Sequence, residues 1–274
     1  MSFGTRLEGA LATRGRLCVG IDPHPGLLDG WGLTDSVVGL ERFAMTCVEV
    51  LGPRAAVVKP QSAFFERHGS AGIAVLERVV AGLRDQGALV LMDVKRGDIG
   101  STVQAYADAY LAPTSPLAAD AVTASPFLGV GSLDPLVETA LAHGAGVFLL
   151  ALTSNPEGAQ VQHAVTSSGR SVAAEVLAAV AARNADGAGS VGAVVGATVS
   201  LPADVTATDL DVGPLLVPGI GAQGGTVDDV RRIFGPACRR VLPSSSREVL
   251  GAGPDKVRLH DAVQRSVEAF AALT

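Results

Sequence analysis

At 274 residues, with 48% hydrophobic and 18% charged residues, the chain carries enough apolar material for a full core and too few charges for disorder. Its net charge of −6, with no Lys/Arg stripe, lacks the electrostatic footprint of a nucleic-acid binder, so an anionic ligand would need a local positive pocket. Cys18, Cys47 and Cys238 form no C-x-x-C pair, which argues against a zinc knuckle or a disulfide framework and suits a reducing cytoplasm.

The first segment carries Arg6, Glu8 and Arg14 among its apolar residues and so lacks the continuous core of a signal peptide. No uninterrupted apolar run reaches the roughly 18 residues of a membrane span, and no membrane association is expected. The first strand candidate, RLCVGID (16–22), ends in Asp22. A helical period over 35–52 follows, then AAVVKP (55–60) with Lys59 near its end. Beyond a second helical stretch, 71–87, ALVLMDVK (88–95) runs into the charged group DVKRGD. AADAVTASP (118–126) and the helical 132–144 lead to GVFLLALTS (146–154), which closes on Thr153 and Ser154.

A helical 169–187 precedes SVGAVVGAT (190–198), whereas 202–213 has little periodicity and reads as a turn or loop. PLLVPGIG (214–221) runs into Gln223, CRRVLPSSS (238–246) runs into Arg247, and 257–273 is helical again. Near-continuous apolar strands alternating with helices mean a parallel sheet covered by helices. Eight such strands without a Pro/Ser/Gly linker predict one (β/α)₈ TIM barrel domain over 1–274, with its active site at the strand C-termini.

Those termini gather the polar residues. Asp93 and Lys95 are two apart on one strand and project to the same side. Lys59 reaches the same space from the neighbouring strand, and Asp98 follows on a turn flanked by Gly97 and Gly100. The result is a Lys-Asp-Lys-Asp array in which every charge has an opposite neighbour; the alternative is an ion-pair network that only closes the barrel mouth. Arg96 reads as a structural group pairing outward.

Gly219, Gly221 and Gly224 match G-x-G-x-x-G, but 230–247 contain no acidic residue to hold a ribose, so a dinucleotide site is not supported. A Gly-rich loop after strand seven and Arg247 after strand eight suit a phosphate site instead. The histidines at 24, 68, 143, 163 and 260 lack ligand spacing, so no metal site is expected from them. No G-x-S-x-G elbow is present.

The segment LMDVKRGDIGST (91–102) resembles the signature D-x-K-x-x-D-I-x-x-T of the orotidine 5′-phosphate decarboxylase family, with Asp93, Lys95, Asp98, Ile99 and Thr102 at its fixed positions. VGIDP (19–23), VVKPQSAFFE (57–66), ALTSNP (151–156), VPGIGAQGG (217–225) and SSSR (244–247) extend the likeness in order along the chain. KPQSAFFE and the length are similar to the mycobacterial-type branch.

The resemblance implies cofactor-free decarboxylation of orotidine 5′-monophosphate to UMP and CO₂, the last step of UMP synthesis, with Lys95 as proton donor and Lys59, Asp93 and Asp98 completing the array. It further implies a cytoplasmic homodimer in which Asp98 and Thr102 reach the partner's site. Asp22 and Lys59 would hold ribose hydroxyls, Ser154 the pyrimidine amide, and Gln223 and Arg247 the phosphate. Two positions depart from the family pattern. Ser246 stands where Gly often precedes the phosphate-binding Arg, and 222–227 contain no tyrosine. Two other readings share this sequence. A hexulose-phosphate synthase or keto-gulonate-phosphate decarboxylase would use Mg²⁺ with a similar D-x-K-x-x-D core, and a silent phosphate-sugar or nucleotide binder would keep the fold without turnover.

Overall fold

The structure is a computed structural model that describes residues 1–187, 189–221 and 224–273. Eight parallel strands close a barrel in sequence order: β1 (Cys18–Ile21), β2 (Val57–Pro60), β3 (Leu89–Arg96), β4 (Ala121–Ala124), β5 (Gly146–Leu152), β6 (Val191–Val195), β7 (Leu215–Pro218) and β8 (Val241–Ser245). Each lies within an apolar run picked out by sequence, except that β3 extends one residue further, to Arg96.

Helix α1 (Phe3–Arg14) precedes the barrel, and α2 (Val37–Leu51), α3 (Gly69–Asp85), α4 (Gly100–Leu111), α5 (Asp134–Ala142), α6 (Val172–Arg183), α7 (Val227–Phe234) and α8 (Lys256–Phe270) follow its strands. The interval after β6 holds only the 3₁₀ turn Ala207–Leu210, in keeping with its weak periodicity. α1, α4 and α7 were not among the periodic runs. α1 starts at Ser2, whose hydroxyl accepts from Thr5 N–H, and α7 starts at a reciprocal capping box between Thr226 and Asp229. No helix among the described residues is long and apolar enough to cross a membrane.

Two apolar layers result from strand alternation. Outward residues such as Val58, Val90, Met92 and Val122 pack against the helices. Inward residues Cys18, Val57, Leu89, Leu91, Ala121, Phe148, Val194, Leu216 and Leu242 fill the barrel interior, which Phe3 and Leu7 of α1 seal from the N-terminal end. Continuing the same alternation toward the strand C-termini, the inward positions become Gly20, Lys59, Asp93, Thr123 and Ser244. The site is therefore the uppermost interior layer, resting on an apolar floor.

Candidate active site

A β-bulge in β3 shapes that layer. Between the pairs Met92↔Val122 and Arg96↔Ala124, β3 supplies Asp93, Val94 and Lys95 while β4 supplies only Thr123. Lys95 takes up the surplus with φ +45°, the left-handed region that a non-glycine residue rarely enters. The two charges thus meet because the strand curls, rather than through plain alternation. Lys95 Nζ donates to Asp93 Oδ1 at 2.6 Å.

The other Asp93 oxygen, Oδ2, accepts from Lys59 Nζ at 2.8 Å and from Gln61 Nε2 at 3.0 Å. Thr123 Oγ1 donates to Oδ1 at 2.8 Å. The carboxylate thus receives four donors, about its full accepting capacity. Burial by itself would push the Asp93 carboxyl up, but the charges and hydrogen bonds of Lys59 and Lys95 outweigh it and hold the group well below the usual carboxylate range. Burial would likewise lower Lys59, yet Asp93, Asp22 and their neighbours raise it above the ordinary lysine value. Both are buried, whereas the Lys95 side chain is 46% exposed and stands in the open cavity.

That cavity, about 600 Å³, is lined by Asp22, Lys59, Asp93, Lys95, Ser154 and Arg247 among others, with Leu150, Val194, Leu216 and Ile220 as apolar walls. Asp22 Oδ1 is buried within it and has no hydrogen-bond partner. Arg247 opens a one-turn helix, Arg247–Leu250, and forms no ion pair with any described residue. Five of the predicted cavity residues thus converge with Lys59. Gln223 lies outside the described residues. Asp98 and Thr102 do not join the array within one chain: Asp98 Oδ1 accepts from Ile99 N–H, and Thr102 is exposed on the first turn of α4. Arg96 is structural, as expected, pairing with Glu66 at 2.6 Å and lying over the rings of Tyr106 and Tyr110.

Sequence reasoning passed over Gln61 and Thr123. Each occupies a strand end pointing at Asp93, and the signal available was a lone polar residue at an inward position, Thr123 two beyond Ala121. A further cavity of about 700 Å³ opens beside α1 at the opposite end of the barrel. Its Arg239 and Arg240 are already paired with Asp211, and Arg16 is held by the carbonyls of Arg239 and Val241. Among the described residues no three His, Cys, Asp or Glu side chains are grouped to hold a metal ion.

The sequence profile of the orotidine 5′-phosphate decarboxylase / HUMPS family matches residues 15–262. The chain belongs to this family. Family relatives named orotidine 5′-phosphate decarboxylase include one from Salinispora tropica, 60% identical and covering 100% of this chain and 99% of its own length. Another, from Nocardioides sp., is 63% identical over 93% of this chain and 94% of its own. A crystal structure from Streptomyces avermitilis superposes with a TM-score of 0.95 at 58% identity, covering 99% of this chain and 95% of that one. The Leishmania donovani OMP decarboxylase structure gives 0.77 at 29% identity, covering 100% of this chain and 99% of that one.

Proposed function

We propose that this chain decarboxylates orotidine 5′-monophosphate to UMP and CO₂ without metal or cofactor, closing de novo pyrimidine synthesis as a single barrel domain. The family name spans two chemistries, and the relatives that match over nearly the whole chain carry the decarboxylase name. The observation that carries the metal-free reading is the saturation of Asp93. With Lys59, Gln61, Lys95 and Thr123 all donating to it, the carboxylate has no lone pair left for a cation.

In this reading the ring-to-carboxylate bond breaks and its electron pair stays on the ring carbon. No cofactor accepts that charge, so fixed protein charges must. The Lys95 ammonium stabilises the carbon and then gives it a proton, forming UMP, and solvent reprotonates the amine. Asp93 holds Lys95 in place from a buried, immobile position. Asp22, whose Oδ1 lacks a donor, and Lys59 hold ribose hydroxyls; Ser154 meets the pyrimidine amide; Gln223 and Arg247 bind the phosphate. Remote phosphate binding supplies energy for orienting the base.

Asp98 and Thr102 act in the second subunit of a homodimer. Supporting this, they flank Ile99, which is 61% exposed, and the adjoining loop after β4 exposes Phe127 (76%) and Leu128 (53%). Ser125 N–H donates to the Arg96 carbonyl and ties the two loops together. Three free thiols, Cys18, Cys47 and Cys238, fit work in the cytoplasm.

The test is UMP formation from orotidine 5′-monophosphate after exhaustive dialysis against EDTA. Undiminished turnover is expected. Activity restored only by Mg²⁺ would favour the metal-dependent relative, and UMP binding without turnover would favour a silent binder.

A further inference from the structure

Lys95 is held in an unfavourable backbone conformation at a bulge, so something must hold it there. In a regular parallel ladder its N–H would find a carbonyl of β4. It donates instead to the side-chain oxygen of Thr123, at 3.0 Å. The same hydroxyl donates a hydrogen bond to Asp93 Oδ1 at 2.8 Å, the oxygen that also accepts from Lys95 Nζ at 2.6 Å. Thr123 thereby closes a ring through both ends of Lys95: backbone N–H to hydroxyl, hydroxyl to carboxylate, carboxylate to ammonium. Thr123 is fully buried, and its single proton is committed to Asp93, so the hydroxyl orientation is fixed.

We infer that Thr123 is a positioning residue for decarboxylation, its hydroxyl fixing the bulged backbone of Lys95 and the Asp93 carboxylate so that the Lys95 ammonium stands at the reacting carbon. The inference rests on the proposed decarboxylase reading. Thr123 acts through its two neighbours and leaves the ribose and phosphate contacts alone. Its loss should therefore slow the chemical step rather than weaken binding. A misplacement of about 1 Å at such a group costs roughly 10²-fold in rate.

The experiment compares Thr123→Val, which keeps the shape and removes the hydroxyl, with wild type for kcat, KM and UMP affinity. Thr123→Ser and Thr123→Ala form a second pair, differing from each other only in the hydroxyl, in case valine fails to fold. Expected are a kcat lowered by about 10²-fold in the valine and alanine variants, KM and UMP affinity close to wild type, and kcat recovered to within about tenfold of wild type by serine. Wild-type kcat in folded Thr123→Val or Thr123→Ala would overturn the inference. So would a serine variant as slow as alanine, or UMP affinity falling in step with kcat, since either assigns Thr123 to packing. Wild-type protein unable to turn over orotidine 5′-monophosphate would instead sink the decarboxylase reading, and this inference with it.

Discussion

A carboxylate buried between two ammonium groups sets the character of this site at the scale of single residues. Asp93 is held well below its ordinary pKa, so its contribution to stability is complete above the unfolded carboxyl value and is lost only as pH falls through the folded one. Lys59 is the mirror case: raised in the folded protein, it contributes fully below the unfolded lysine value and loses that as pH rises through its folded value. Removing the central charge leaves Lys59 buried without its partner, so Asp93→Asn should cost about 3–5 kcal/mol at neutral pH. By chemical denaturation, the gap to wild type should hold from neutral pH down to about pH 4 and narrow only below it. A gap that failed to narrow below about pH 4 would mean that the carboxyl is not depressed. The charged residues were legible in the sequence because each interrupts or follows an apolar run. Gln61 and Thr123 were not, because a neutral polar side chain at a strand end declares its partner only once the register of two strands is known.

At the scale of elements, the barrel was legible because buried parallel strands are near-continuous apolar runs, whereas α1 was hidden by its mixed composition. Its role is local: Phe3 meets Phe148 edge-on at 6.0 Å, and the absence of a side chain at Gly146 makes room for the Phe3 ring. Phe3→Ala should cost about 3–5 kcal/mol in stability while leaving KM unchanged, since the substrate cavity lies at the other end. A rise in KM in the folded variant would contradict that separation. The departure at Ser246 also has a structural counterpart on the neighbouring strand β1. A Cβ on Gly20 would lie 2.0 Å from Ser246 Oγ and 3.0 Å from Asp22 Oδ1. Overpacking of this kind costs about 1–3 kcal/mol, so Gly20→Ala should be destabilised by that amount and Ser246→Gly should restore most of it in the double variant. Additive losses in a denaturant-unfolding cycle would show that the two positions do not share this space.

At the scale of the whole molecule, one chain joins Lys59, Asp93 and Lys95 but not Asp98, whose Oδ1 accepts from Ile99 N–H, while Thr102, Ile99, Phe127 and Leu128 are exposed. A sequence signature shows that residues belong together but not on which subunit they meet, which is why Asp98 could not be assigned to a site from spacing alone. If two subunits share sites, mixing inactive Lys95→Ala and Asp98→Ala proteins should restore roughly a quarter of wild-type activity, because hybrid dimers hold one intact site. No recovery after subunit exchange would place Asp98 in its own chain's site. The central claim, that a metal-free barrel protonates the ring carbon through Lys95, is tested most directly by following the ultraviolet absorbance of orotidine 5′-monophosphate in EDTA with wild type and Lys95→Ala side by side. The account predicts loss of the substrate band with wild type and a rate lower by about 10³-fold or more in the variant, with UMP still bound. Comparable rates for the two proteins would contradict it.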